Sequence, residues 1–265
     1  MTKTPSTALI TGASTGIGAV YADRFARRGY DLVLVARDQT RLDAVAARLR
    51  SETGRQVDVL PADLTKSDEL TRVEARLRED DGISLLINNA GAAQHGGFAE
   101  PDVDELEGLI RLNVLAMTRL TGAVIPRFLT RGGGNIINVS SVVAFAPEIP
   151  FGIYGATKAY VLAFSQSLQA ELGPRGIYVQ AVLPAATRTE IWKRSGRDVS
   201  ALKSAMDVSE LVDAALVGFD RREPVTSPTL KDARLWESFD GARKELLPDV
   251  LQADQAAARY RGRAA

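Results

Sequence analysis

The chain has 265 residues, 45% hydrophobic and 25% charged, which is the balance of a soluble globular protein. Its 33 Lys and Arg match its 33 Asp and Glu, so no excess of charge points to nucleic acid or an anionic membrane as a partner. It contains no Cys, which excludes disulfides, thiolate catalysis and zinc–thiolate sites.

The opening MTKTPSTALI holds too short an apolar run for a signal h-region. No apolar run elsewhere approaches the ~18 residues of a membrane span, and the expectation is a soluble, cytoplasmic protein. From ALIT (8–11) onward, short β-rich runs alternate with longer amphipathic segments. A helical pattern over 17–28 closes at Gly29, and DLVLVA (31–36) reads as a buried strand before an Arg-rich helix over 38–52. QVDVL (56–60), a helix over 66–79 and ISLLIN (83–88) repeat the pattern. A long helix within 101–131, NIINVS (135–140), a helix from about 154 to 173 and IYVQAVL (177–183) continue it. Near-continuous apolar strands between helices predict an α/β fold: a Rossmann-type, doubly wound, mostly parallel sheet with helices on both faces.

After 184 the alternation loosens. Residues 186–207 are polar and mixed, a helix over 207–221 opens with Asp207 and Glu210 in capping positions, and EPVTS (223–227) reads as a last short strand. The tail 230–265 carries two helical patterns split at Pro248. With no internal repeat or low-complexity linker, one domain is expected over 1–265: a core of about 5–190, then a substrate loop and C-terminal extension over about 186–265.

The first strand runs directly into TGASTGIG (11–18). A Gly-rich turn between strand and helix brings backbone N–H groups and the helix N-terminus to a phosphate. Gly12 makes the turn, Gly16 removes a Cβ where a pyrophosphate passes, and Gly18 permits close packing of helix on strand; Ser14 and Thr15 add hydroxyl donors. The spacing is G-x-x-x-G-x-G, not the general G-x-G-x-x-G fingerprint. The second strand ends at Ala36–Arg37. An acidic residue there would bind ribose hydroxyls, whereas an Arg accommodates a 2′-phosphate. Arg37 therefore favours NADP(H), the plain alternative being a solvated strand-end Arg.

TGASTGIG, ADL (62–64), NNAG (88–91), Asn113, NVSS (138–141) and YGATK (154–158) occur together and in order. With them, the chain resembles a classical short-chain dehydrogenase/reductase over roughly residues 5–190. The resemblance implies that Asp63 bonds the adenine amino group with Leu64 beside the ring, and that Asn89 and Ala90 line the cofactor. It adds Ile17 and Gly91 to the cofactor-binding positions, although Asn88 and Gly91 suit a turn-shaping role as well. It implies a catalytic set of Asn113, Ser141, Tyr154 and Lys158, with Ser140 a strand-end hydroxyl. For Asn113 two readings stay open: a satisfied core amide, or a holder of water that relays protons through Lys158.

These residue types suit carbonyl reduction. Hydride addition leaves an alkoxide, so a proton must reach oxygen in the same event. Tyr, with an ordinary pKa of ~10, is a poor acid–base group until a nearby ammonium favours its phenolate. Tyr154 and Lys158 lie one helical turn apart on one face. Lys158 supplies that charge and holds the nicotinamide ribose, while Ser141 orients the substrate oxygen.

VLPAATRTE (182–190) carries Pro184–Ala185 where the family usually shows Pro-Gly, and Ala resists positive φ. The resemblance implies Thr187 and Thr189 as partners for the nicotinamide carboxamide and Pro184 as a further cofactor-binding position. His95 is the only His and, without Cys or a second His, no metal site is expected. Phe145, Phe151 and Trp192 flank the site in sequence as core or pocket, and together suggest an apolar or aromatic substrate.

The tail lacks the acidic, double-Gly close common in the family and resembles a bacterial subgroup with an extended C-terminus; it could cover the pocket, join subunits or finish the core. The resemblance implies an NADP(H)-dependent oxidoreductase that reduces a ketone or aldehyde, or runs in reverse. A hydroxy-acid dehydrogenase is the alternative, with Arg188 or Arg194 as a cationic clamp or merely as solvated charges. A non-catalytic dinucleotide sensor is a third reading. By analogy the helices near 101–131 and 154–173 would pair subunits into a homodimer or homotetramer.

Overall fold

β1 (Thr7–Thr11), fully buried at Ala8, Leu9 and Ile10, is an interior strand of a seven-stranded parallel sheet. The computed structural model describes residues 6–93, 102–149, 151–190, 204–252 and 254–261. The chain winds outward through α1 (Gly16–Arg27), β2 (Asp31–Ala36), α2 (Gln39–Thr53) and β3 (Val57–Pro61). α3 (Ser67–Glu79) then carries it back across the sheet to β4 (Ile83–Asn88), which pairs with β1 on its other side. The strand order β3-β2-β1-β4-β5-β6-β7 thus reverses between β1 and β4. That is the place where open α/β sheets leave a crevice at their carboxyl ends.

The second half continues through α4 (Val103–Ile110), a π-helical segment Arg111–Ala116, α5 (Met117–Thr130) and β5 (Gly134–Val139). Then come α6 (Gly152–Leu172), β6 (Ile177–Val182), α7 (Val208–Asp220) and the two-residue β7 (Val225–Thr226). Core residues of α1, α2 and α7 cover one face of the sheet, and those of α3, α5 and α6 cover the other. β4 and β6 are buried at every position, which accounts for strands that read as continuous apolar runs. A fully buried Leu or Ile contributes about 1.5–3 kcal/mol, so this two-sided burial dominates the stability of the sheet.

Contacts divide the chain into two compact units, 1–228 and 229–265. The second contains α8 (Ala233–Glu245), capped by Asp232, and the short α9 (Leu247–Val250). Pro248 lies in the first turn of α9 rather than between two helices, because Pro is tolerated where its missing N–H would be unpaired anyway. One helical stretch, Val103–Thr130, has the length and apolarity of a membrane span, with a mean hydropathy of 1.3 over its best window. No uninterrupted apolar run signals it in the sequence; its average tolerates scattered polar residues. Of that window 44% is buried inside the protein, with Leu120, Val124 and Phe128 in the core.

Candidate active site

The turn from β1 to α1 is left-handed at Gly12 (φ 66°) and Gly16 (φ 57°), where any other residue would be strained. Gly18 acts on the turn itself, since a Cβ there would stand 2.3 Å from the Gly12 carbonyl oxygen and 2.5 Å from Asn89 Nδ2. Thr15 holds the N-cap of α1 but makes no side-chain capping bond, and no acidic residue occupies the first turn. By contrast α2, α4 and α7 are each capped by an Asp carboxylate, from Asp38, Asp102 and Asp207. The first-turn N–H groups of α1 therefore face the crevice without a capping acceptor, as an anion site requires. Ser14, Thr15 and Ile17 are half-buried around this turn, and Thr189 leans over it, 3.4 Å from where a Gly16 Cβ would stand.

The ends of β1 and β4 are sewn together by Thr11. Its Oγ1 accepts the N–H groups of Asn89 and Ala90, both at 3.0 Å. Asn89 Nδ2 in turn donates to the carbonyls of Thr11 (2.9 Å) and Gly12 (3.3 Å). The amide nitrogen of Asn89 thus braces the Gly turn. Asn88 serves the interior: its Nδ2 donates to Asn138 Oδ1 (2.9 Å) and Thr121 Oγ1 (3.1 Å), and Asn138 Nδ2 donates to Ser165 Oγ (2.9 Å).

At the ends of β2 and β3 lies a 720 Å³ cavity lined by Arg37, Asp63, Lys66, Glu69 and Arg72 among others. Arg37 is exposed and, among the described residues, has no hydrogen bond or ion pair, acting on Asp63 only through space. Asp63 Oδ1 accepts from the N–H (3.0 Å) and hydroxyl (2.7 Å) of Thr65. Burial alone would raise the Asp63 carboxyl, but the Thr65 bonds and the charges of Arg37 and Lys66 hold it below its usual range. Leu64 is 5% exposed and joins the core on the α3 and α5 face.

Beyond β4 the crevice reaches β5 and α6. Tyr154 lies in the first turn of α6, whose helix begins at Gly152, two residues earlier than the sequence suggests. Its hydroxyl is hydrogen-bonded with Ser141, and burial pushes its pKa up to about 12 against that bond. Lys158 is 6% exposed and donates from Nζ to the Val139 carbonyl (2.9 Å), with Nζ 5.7 Å from the Tyr154 ring centroid. Burial brings its pKa down to about 8. In this chain, then, desolvation sets both groups, whereas the sequence argument has the ammonium lower the phenol. Ser140 donates to the Lys158 carbonyl (2.7 Å), a structural bond at the strand end.

Asn113 sits in the π-helical segment, 2% exposed, where widened turns are frequent at functional sites. Its Oδ1 accepts the Ala92 N–H (2.9 Å), and its Nδ2 donates to the Ala92 carbonyl (2.9 Å) and Thr157 Oγ1 (3.1 Å). The side chain is thus a satisfied amide that fixes the chain after β4. Gly91 completes the fit, because a Cβ there would stand 3.2 Å from Asn113 Oδ1 and 3.5 Å from Lys158 Nζ.

The Pro184–Ala185 departure costs nothing in backbone geometry. Among the described residues the only non-Gly residue with positive φ is Arg222, so Ala185 has no need of glycine's freedom. Pro184 is buried, and its carbonyl accepts from the Val142 N–H (3.0 Å) and Ser141 Oγ (3.3 Å). Thr187 is 4% exposed and bonds the Ala185 carbonyl (3.0 Å), while Arg188 is exposed. Phe145 and Ile149 are 38% and 41% exposed, and the Phe151 and Tyr154 ring centroids are 5.9 Å apart. Phe151 thus sets an aromatic ring beside Tyr154. His95, Trp192 and Arg194 lie outside the described residues. Among the described residues no group of three His, Cys, Asp or Glu could hold a metal.

Sequence reasoning missed Thr11 and Thr157. Thr11 stood in the quoted Gly-rich motif, but its partners lie 76 to 79 residues away. Thr157 has the same character, meeting Asn113 across 44 residues.

The family model described as short chain dehydrogenase matches residues 6–200. The chain is similar to the solved structure of a short-chain dehydrogenase from Sphingobium yanoikuyae in complex with NADPH. The two share 62% identity over 97% of this chain and 100% of that one, with a TM-score of 0.95. It is also similar to the bulky-bulky ketone specific alcohol dehydrogenase from Comamonas testosteroni, at 53% identity over 98% of this chain and 100% of that one, with a TM-score of 0.91. Both matches extend into the 229–265 unit, since each leaves at most 3% of this chain uncovered. Among curated proteins it is 30% identical to 17-beta-hydroxysteroid dehydrogenase type 3 of Homo sapiens, over 91% of this chain and 79% of that protein.

Proposed function

This chain belongs to the short-chain dehydrogenase family, and on that premise we propose that it is an NADPH-dependent reductase of ketones carrying two bulky apolar substituents. The observation that carries the reading is the meeting of Ser141, Tyr154 and Lys158 at the end of β5, with the Phe151 ring beside Tyr154. A charged clamp is what a hydroxy acid would need there, and Arg188 is exposed with its N–H bonded to Met206.

The residues fit a dinucleotide along the crevice. The glycine turn and the open N-terminus of α1 would hold the pyrophosphate, Arg37 a 2′-phosphate, and Asp63 the adenine. Lys158, close to Gly91, would meet the nicotinamide ribose, with Ala90, Pro184, Thr187 and Thr189 bordering the ring. The cofactor supplies the hydride when bound. Tyr154, held protonated by burial at neutral pH, donates its hydroxyl proton to the carbonyl oxygen as charge develops. Ser141 Oγ, already turned to the Tyr154 hydroxyl, hydrogen-bonds the same oxygen and fixes it. Asn113 holds the chain after β4 in register with α6 through Ala92 and Thr157.

By family resemblance we read the enzyme further as cytoplasmic and homo-oligomeric. The test is turnover of NADPH and NADH over a panel of aryl ketones, aliphatic ketones, aldehydes and keto acids. The reading expects NADPH oxidation with ketones bearing two large apolar groups. Activity confined to keto acids, or none at all with any carbonyl, would overturn it.

A further inference from the structure

The cavity at the ends of β2 and β3 holds more charge than Arg37 and Asp63 alone. Three cations, Arg37, Lys66 and Arg72, and three carboxylates, Asp63, Asp68 and Glu69, line the same 720 Å³. Their attachments are unequal. Glu69 is anchored, because its carboxylate accepts the backbone N–H of Asp63 at 2.7 Å. Arg72 lies 3.8 Å from Glu69 and also donates to the Pro61 carbonyl at 3.1 Å. Lys66 has one ion-pair partner among the described residues, Glu69 at 3.2 Å, and its side chain is 62% exposed. The Lys66 N–H donates to the Asp63 carbonyl at 3.0 Å, so a single tight turn holds the lysine beside the Asp assigned to adenine.

Resting on the NADPH reading above, we infer that Lys66 is a second specificity-determining cation for the 2′-phosphate, and that Glu69 competes with the phosphate for it. An exposed Lys–carboxylate pair is weak because water screens it, so Lys66 is easily released. A phosphate monoester carries about −1.5 to −2 charges at neutral pH and outcompetes a single carboxylate. Lys binds phosphate as a point charge on a flexible stem, without the fixed fork that Arg requires. Without a 2′-phosphate, Lys66 returns to Glu69 and the cavity keeps its balance of charge.

Titration calorimetry with adenosine 2′,5′-bisphosphate and 5′-AMP, which differ only in the 2′-phosphate, tests this without turnover. The wild-type protein is expected to prefer the bisphosphate. Lys66→Gln should cut that preference about fivefold and leave 5′-AMP binding unchanged. Glu69→Gln keeps an oxygen for the Asp63 N–H but frees Lys66, and should raise the preference about two- to threefold. If Lys66→Gln keeps the wild-type preference while Arg37→Gln loses it, the inference fails and the NADPH reading stands. Equal weakening of both ligands by Lys66→Gln reduces Lys66 to a turn residue and also overturns the inference. No preference in the wild-type protein sinks the NADPH reading and the inference with it.

Discussion

The two ends of the crevice are built on opposite electrostatic terms. At the β5–α6 end the groups are buried, with Asn113, Lys158 and Ser141 at 2%, 6% and 8% exposure, and ionisation is suppressed. Tyr154 is pushed up to about 12 and Lys158 down to about 8, each toward its neutral form. At the β2–β3 end the charges stand in water, Lys66 and Arg72 with side chains 62% and 58% exposed, each beside a carboxylate. A proton donor must still hold its proton at working pH, as a Tyr does even before burial raises its pKa further. Recognition of an anion needs full charges, which persist only where water or a partner supports them. On the proposed function, the same crevice separates chemistry from selectivity by dielectric environment.

The largest effect should come from the buried end. Tyr154→Phe keeps the ring beside Phe151 and Lys158 but removes the hydroxyl proposed to give its proton to the carbonyl oxygen. Turnover should fall about a thousandfold, within the range for loss of a general acid. NADPH affinity, measured by fluorescence titration, should stay within about threefold, since the phosphate contacts lie elsewhere. Near-normal turnover would erase the contrast between the two ends.

The α/β alternation was legible because the strands are buried on both faces and read as apolar runs broken by Gly, Pro or charge. DLVLVA and ISLLIN were located to the residue for that reason. The positions proposed as catalytic came from the family resemblance, and their spacing put Tyr154 and Lys158 on one helical face, where Lys158 Nζ stands 5.7 Å from the Tyr154 ring centroid. What stayed hidden were pairings between residues far apart. Asn89 reads as a cofactor contact in the motif, yet its amide nitrogen is bonded to Thr11 and Gly12, more than seventy positions away. Asn113 looks like an isolated polar residue until Ala92 and Thr157 close around it. Ala185 shows the converse, a departure from a family motif with no strain at all, because its backbone never needed positive φ.

A smaller effect is expected at the exposed end. Arg37→Asp replaces a cation that has no partner among the described residues with a carboxylate suited to ribose hydroxyls. The NADPH-to-NADH ratio of kcat/KM should fall about 10- to 100-fold, the scale of one charge-assisted phosphate bond. Because this end is solvated, the wild-type preference should also shrink between 50 and 500 mM salt, as screening shortens from about 14 to about 4 Å. An unchanged ratio in Arg37→Asp would remove the 2′-phosphate from this end altogether.

The smallest effect returns to the buried end and reads stability. Lys158 titrates at about 8 in the folded chain, against about 10.4 when unfolded. Below pH 8 both states hold the proton, and the folded protein bears the full cost of a buried ammonium, on the order of 3 kcal/mol. Between about 8 and 10.4 the unfolded chain binds more protons than the folded one, so stability attributable to Lys158 rises with pH. Lys158→Met should therefore be more stable than wild type at pH 7 by about 1–2 kcal/mol, less than the full cost because the Val139 carbonyl loses its donor. The advantage should vanish as the pH approaches 10. Denaturant melts of both proteins at pH 7, 8.5 and 10 measure this. A constant difference across the three would mean that the ammonium at the catalytic end is as well supported as those at the exposed end, and the contrast would lose its physical basis.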